Sequence, residues 1–498
     1  MKMNYFIWIL LFLFSFHANG QDEGPGLMNS DSYHDAGYAG QGLKIAIIDG
    51  GYEKLAFAQS QGTAPAPANV YCWPYTCAEL DANGNHGTKC VEAIYDHAPN
   101  ATYYLLKPTS GASGYADLIT YCIGQNVDII SISVLDLRDS WNDGTGVIGQ
   151  ELKRATDNGI LVFIAGGNFK KVHWQGAFVN NNEGSYHEWW GNEMKNRFTA
   201  TDTGRVEVYV IWDNPSGAIA DWYDVELYEE VQGSGDVLIV TGDNAFGRFE
   251  KLYWNFQLAA LDTMNLYIKV KRKIWTSDPP ELEIYNFGHF VGPFSINIPE
   301  GSIGGTSSAQ EPNVITVGAV PYSNYDTIPG ANVVWHKSSL GPTNNGNLSP
   351  DVASVTGITV VSSSSRFWGT SCAAPNAAGA AAAFWSAHPG YSADGIRQVL
   401  LRKALLYNDW GNVGPDNTYG QGGLYLYDYH SNTEYVYFSG NNTGASTSKP
   451  WLSLEQADTY APANSRVVML GGTDDISNTI VLDKAMLYVS LKKDAITK

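Results

Sequence analysis

Four stretches of the chain are apolar almost without interruption: 43–48 (LKIAII), 127–134 (VDIISISV), 160–165 (ILVFIA) and 314–320 (VITVGAV). Runs this short and this continuous read as strands buried on both faces. Between them, 115–124 and 147–158 carry helical spacing, and the second ends at Asp157-Asn158-Gly159 as a helix C-terminus does. Strand and helix in alternation predict an α/β fold, a parallel sheet with helices on both faces. In such sheets reactive groups gather at the carboxyl ends of the strands, and Asp49 and Asn168 fall at two of those ends.

Near Ala177 the pattern changes. Alternating apolar and polar positions over 206–212, 236–241, 266–271 and 281–286, separated by turn residues, predict an antiparallel β-sandwich of jelly-roll type. The α/β pattern resumes near Gly301. After Asp428 three further strands are predicted at 435–438, 465–470 and 486–491. The expected division is a leader over 1–20, a first α/β part over 21–176, the sandwich over 177–299, a second α/β part over 300–430 and a C-terminal β region over 431–498.

The second α/β part holds Gly369-Thr370-Ser371-Cys372-Ala373-Ala374-Pro375, followed by an alanine-rich run to Phe384. Alanines favour a helix and let it lie close against a sheet. A serine at the start of that helix sits beside unpaired backbone N–H groups and the positive dipole end, where an oxyanion is stabilised. An ordinary helix cap looks much the same, so the serine alone decides nothing.

Composition narrows the partners. With 498 residues the chain has room for several domains, and a hydrophobic content of 44% excludes wholesale disorder. A formal net charge of -20 argues against nucleic acid or an anionic membrane. Lys2, the apolar run 6–16 and Ala18-Asn19-Gly20 form a secretory leader, with the mature chain expected from Gln21 and no later membrane span. An oxidising compartment permits disulfides among the five cysteines. Cys72 and Cys77, five positions apart around a short turn, are the expected bridge. Cys372 is expected unpaired in the core.

Three other segments bear on Ser371. Asp49 follows a buried strand, His86 stands in Asn85-His86-Gly87-Thr88, and Asn168 ends FIAGGN. A serine hydroxyl needs a base, the base a carboxylate to orient it, and the oxyanion needs donors. Each residue also has a plainer role open to it: a turn cap, a helix-start histidine, a left-handed turn residue. Together GLKIAIIDGGY, NHGTKCVEAIYDHAPNA, VDIISISV, ILVFIAGGN, SSLGPTNNGNLSPDVAS and GTSCAAPNAAGAAAAFWSAHPG resemble, in order, the motifs of subtilases, the subtilisin-like serine proteases. The resemblance covers about 26–174 and 301–427. It implies Ser371 as nucleophile, His86 as general base and acid, and Asp49 as its orienting carboxylate. It also implies an oxyanion hole from the Asn168 amide and the Ser371 N–H, with Ser131, Ile132, Ser133, Val134, Ala165 and Gly166 binding substrate.

The chain departs from the family pattern in four places. Only positions 21–48 precede Asp49 in the expected mature chain, too few for a folding propeptide. The run from His86 to Pro99 is short where relatives carry a calcium loop. Val134-Leu135-Asp136-Leu137 stands where glycines are usual, and Cys372 where methionine is frequent. IWDNPSGAIADWYDVELYEE resembles sandwich modules inserted in large bacterial subtilases; its Asp213, Asp221 and Asp224 are candidate calcium ligands, against the reading of solvated turns. The segment from Tyr435 to Gly472 resembles the opening coil of a right-handed β-helix. The expectation is a secreted serine endopeptidase acting on protein or peptide, needing no cofactor for catalysis, with structural calcium optional. The rivals are a non-catalytic binding protein on the same scaffold and a polysaccharide-active protein acting through the tail. Lys170-Lys171, just past Asn168, raises the question of a preference for acidic residues near the cleaved bond.

Overall fold

The structure is a computed structural model describing residues 23–109, 111, 113–134, 136–137, 141–180, 185–213, 222–233, 235–242, 249–259, 261–274, 281–304, 314–325, 333–427, 429, 433–436, 466–469 and 487–490. The expected leader, Asp221 and Leu135 lie outside them. Five strands come first: β1 (Lys44–Ile48), β2 (Val70–Trp73), β3 (Thr102–Leu106), β4 (Ile129–Ile132) and β5 (Leu161–Ala165). Eight follow: β6 (His173–Ala177), β7 (Asn196–Trp212), β8 (Trp222–Glu229), β9 (Val237–Thr241), β10 (Phe249–Phe256), β11 (Thr263–Ile274), β12 (Glu281–Asn286) and β13 (His289–Val291). Then come β14 (Val314–Pro321), β15 (Val352–Thr356) and the tail strands β16 (Thr433–Val436), β17 (Arg466–Met469) and β18 (Leu487–Ser490).

A seven-stranded sheet in the order β15-β14-β5-β4-β1-β3-β2 is parallel throughout. Its strands are apolar on both faces, and alternate residues join different cores. Ile45 and Ile47 pack with the helices His86–His97, Thr370–Ala387 and Ala393–Tyr407, whereas Ala46 and Ile48 pack with Ser113–Gly124 and Val147–Asp157. The expected α/β architecture is therefore observed. The sequence reading passed over β2, β3 and β15. β2 is only four residues long and lies at the sheet edge, with Tyr71 half exposed and stacked on Tyr104. The Cys72–Cys77 disulfide is present and ties its end to the next short helix, while Cys90, Cys122 and Cys372 are free and buried.

Alanines make the Thr370–Ala387 helix thin enough to lie in the middle of this core. Ala373, Ala374, Ala377, Ala378 and Ala380–Ala383 are all fully buried. Where it crosses the His86–His97 helix, a Cβ on Gly379 would stand 2.8 Å from His97 Cβ and 3.1 Å from Ile94 O. The glycine in the alanine run is what lets the two helices touch.

The interrupting segment is an antiparallel sheet of eight strands with its own apolar core, and it starts at His173, ahead of the expected boundary at 177. Its organiser is the long β7. Residues 196–201 pair with β11, while 204–211 pair with β10 and 208–212 with β12. β6 and β12, the first strand and the last long one, are neighbours. In the tail, β16, β17 and β18 stack in parallel, in sequence order, within residues of the expected strands.

Candidate active site

β1, β4 and β5 lie side by side, so the residues just past their ends, Asp49, Ser133 and Asn168, meet at one edge of the sheet. All three, with His86, Thr370 and Ser371, line a single cavity of about 630 Å³. Asp49 is 1% exposed. Its Oδ1 accepts from Gly50 N at 2.7 Å, and its Oδ2 accepts from His86 Nδ1 at 2.8 Å and from Cys90 Sγ at 3.6 Å. A carboxylate held by three donors is fixed in place, and it fixes the imidazole in turn. His86 opens its helix, and Asn85 Nδ2 anchors that start on Ser362 O at 2.7 Å. With Nδ1 spent on Asp49, Nε2 is the nitrogen left to take a proton, and among the described residues it has no partner.

Ser371 is the second residue of its helix, entered through Gly369 at φ 107°, a left-handed conformation that favours glycine. Pro375, four residues on, has no N–H, so Ser371 O lacks its helical donor. Ser133 Oγ at 3.1 Å and Cys90 Sγ at 3.6 Å donate to it instead. The Ser371 hydroxyl donates to Ser133 O at 3.2 Å. Ser133 and Ser371 are thus locked reciprocally. Asn168 Oδ1 accepts from Thr370 N at 3.0 Å and from Thr370 Oγ at 3.1 Å, which leaves Nδ2 as the free end of the amide. Gly167 N donates to Thr370 Oγ1 at 3.0 Å and completes the link between the loop and the helix start. The Ser371 N–H, in the first turn, has no intrahelical acceptor. A hydroxyl, an oriented imidazole and two free N–H donors around one cavity are the parts that nucleophilic acyl transfer uses.

Not every expected substrate contact is there. β4 is flanked by β1 and β5, so Ser131 and Ile132 are paired on both sides and 1% exposed. They are interior sheet residues and offer no edge to a peptide; whether a strand is central or peripheral is a matter of tertiary neighbours, not of its own pattern. Gly166 spends its N–H on Val317 O and its carbonyl on Gly304 N. Ser133, Val134 and Ala165 do line the cavity. Asp224, offered as a calcium ligand, is paired with Lys273 Nζ at 2.6 Å, while Asp213 N donates to Glu281 O at 3.2 Å.

The inserted sheet supplies a wall that local sequence did not announce. Asn286, Phe287, Gly288, Val291 and Pro293 line the same cavity as Ser371. Phe169, next to Asn168, sits against Tyr285 and Phe287, with ring centroids at 4.8 and 4.7 Å. The loop after Asn168 is clamped by Asn297 Nδ2 on Lys170 O at 2.8 Å, Phe294 N on Lys171 O at 3.2 Å and Asn286 N on Val172 O at 2.9 Å. Behind the clamp, the buried Glu283 carboxylate accepts from Asn142 Nδ2 at 2.8 Å, Asn344 Nδ2 at 2.9 Å and Tyr285 OH, and contacts His173 Nε2 at 3.3 Å. Cys90 and Thr370 were also passed over as site residues. The signal for the first contacts was Pro375, whose missing N–H calls for a donor from elsewhere.

Residues 297–422, which include Asn344, Pro375 and Ser371, match the model of the Subtilase family. Over that segment the chain is similar to subtilases. The chain is 23% identical over 167 residues to Subtilisin E of Bacillus subtilis (strain 168), covering 30% of this chain and 41% of that protein. Subtilisin J of Geobacillus stearothermophilus matches to the same extent. The chain thus spans well under half the length of these curated relatives. In fold it is similar to the solved structure of the Clostridium Perfringens CspB protease, with a TM-score of 0.51 at 15% identity, covering 82% of this chain and 96% of that one.

Proposed function

We propose that this protein is a subtilase, a secreted serine endopeptidase that cleaves peptide bonds through an acyl-enzyme. The observation that carries the reading is the pairing of buried Asp49 with partly exposed His86 at 2.8 Å, opening on the same cavity as Ser371. In this reading the Ser371 hydroxyl turns from Ser133 O to His86 Nε2 when substrate enters. His86 takes its proton as Oγ attacks the carbonyl carbon, and Asp49 stabilises the imidazolium. The developing oxyanion is held by Asn168 Nδ2 and the Ser371 N–H. His86 then gives the proton to the leaving amine, and water attacks the ester under the same base. The leader at 1–20 supports export. The division into an α/β catalytic unit, an inserted sheet that walls the cleft and a C-terminal β region is part of the same proposal.

A fluorophosphonate probe tests it. Wild-type protein is expected to be labelled once per chain, and Ser371→Ala and His86→Ala are expected to lose the label. Folded wild-type protein that takes no label, or Ser371→Ala that labels as well as wild type, overturns the reading in favour of a non-catalytic scaffold.

A further inference from the structure

The cavity carries a charge opposite to that of the chain. In a protein of net charge -20, the one acidic residue among the described residues that line this cavity is Asp49, buried and spent on His86. Lys171 and Lys337 line it too, and both are exposed. Among the described residues neither ammonium has a carboxylate partner. Their backbones are held side by side, with Lys170 N donating to Lys337 O at 3.3 Å and the Lys171 carbonyl clamped by Phe294 N. His336 lies within the same field: burial first, then the Lys171, Lys337 and Lys170 charges, hold its imidazole below the ordinary value. Lys170 itself is not part of the lining and has Glu300 nearby.

A second observation lies on the opposite wall. Asn286, only 3% exposed, accepts from Gly288 N at 3.0 Å through Oδ1, which fixes the orientation of its amide. Its Nδ2 is buried without an acceptor, yet the residue belongs to the cavity lining. A buried amide donor left unmet is unfavourable, and a ligand oxygen would relieve it. Two unpaired cations and an unmet donor around one space recognise an anionic oxygen pair.

We propose that Lys171, Lys337 and Asn286 form a subsite for an acidic side chain, glutamate or aspartate, flanking the scissile bond. The inserted sheet thereby sets specificity as well as lining the cleft. The proposal rests on the protease reading of the same cavity, so its test is arranged to fail separately. Ser371→Ala protein is titrated with fluorescein-labelled decapeptides of alanine and serine, each bearing one glutamate, glutamine or lysine walked through every position. One position is expected to favour glutamate over glutamine by about tenfold, the scale of one to two partly screened ion pairs. The preference is expected to fade with added salt and to vanish in Lys171→Gln/Lys337→Gln, exposed changes that leave the fold intact. Equal binding of glutamate and glutamine at every position, or tighter binding of lysine, overturns it. Fluorophosphonate labelling of wild type is run alongside. Labelling without a glutamate preference rejects the subsite alone; the preference without labelling keeps the subsite and rejects the protease.

Discussion

Glu283→Gln tests whether the inserted sheet is bonded to the parallel-sheet part of the chain by the buried carboxylate network. Glu283 is 0% exposed, and each of its two oxygens serves two neighbours. Oε1 meets Tyr285 OH and His173 Nε2; Oε2 takes the amides of Asn142 and Asn344. Glutamine keeps the shape but offers only one oxygen: turned to the Asn142 and Asn344 amides, it sets its NH₂ against the Tyr285 hydroxyl and the His173 ring, and all four contacts lose their charged acceptor. Each contact then drops from about 1.5–3 kcal/mol toward about 0.5–1.5 kcal/mol. Asn142 keeps Tyr285 Oη at 3.0 Å and Asn344 keeps Trp141 O at 2.6 Å, which holds the loss toward the lower end. The expected destabilisation is about 3–4 kcal/mol, within the range for breaking a buried pair. At about 2–4 °C per kcal/mol, the melting temperature of the full chain should fall by roughly 6–16 °C. Glu230→Gln is the control, since its pairs with Arg197 at 2.9 Å and Lys195 at 3.1 Å lie at the surface and are worth about 1 kcal/mol or less. If Glu283→Gln melts no earlier than Glu230→Gln, the network does not hold the two sheets together.

Three further outcomes are expected. Gly379→Ala should overpack the contact with His97 and Ile94 and cost about 1–3 kcal/mol in urea unfolding, whereas an alanine elsewhere in an exposed helix would stabilise. Burial depresses His97 and His388 to about 3 and His187 to about 4. Above the ordinary value near 6.5 they are neutral folded or unfolded; below it only the unfolded chain gains their protons, so stability falls as pH drops, by roughly 1.4 kcal/mol per unit for each, levelling off near pH 3–4. A urea midpoint unchanged from pH 7 to pH 5 contradicts this. Burial also raises the thiols, Cys122 to about 12, Cys372 to about 11 and Cys90 well above its ordinary value, so native protein should resist iodoacetamide at pH 8 while unfolded protein takes three labels.

What could be read from the chain beforehand was whatever is written locally. Asp49, His86, Asn168 and Ser371 each stand at a strand end or helix start with small residues around them, and that local grammar survives without knowledge of neighbours. β1, β4, β5 and β14 were legible because double-sided burial makes them apolar at every position. The short edge strand β2 carries no such signature. That Ser131 and Ile132 are paired on both sides was not legible, because the pattern of a strand does not say how many partners it has. The cavity wall from Asn286 to Pro293 was hidden for a related reason, since it depends on how one sheet docks beside another. The reciprocal bonds of Ser133 and Ser371 bring together residues 238 positions apart, and no window along the chain contains both.

The adjacency of β6 and β12 bears on how the molecule is made. Strand β14 must find β5 across everything from His173 to Glu300, a long detour whose closure is entropically unfavourable for an unstructured chain. Because the excursion leaves and returns through two paired strands, its own folding draws those distant ends together. The excursion can therefore act during synthesis as a splint that folds first, bringing the late-made serine half up to the aspartate and histidine half already waiting.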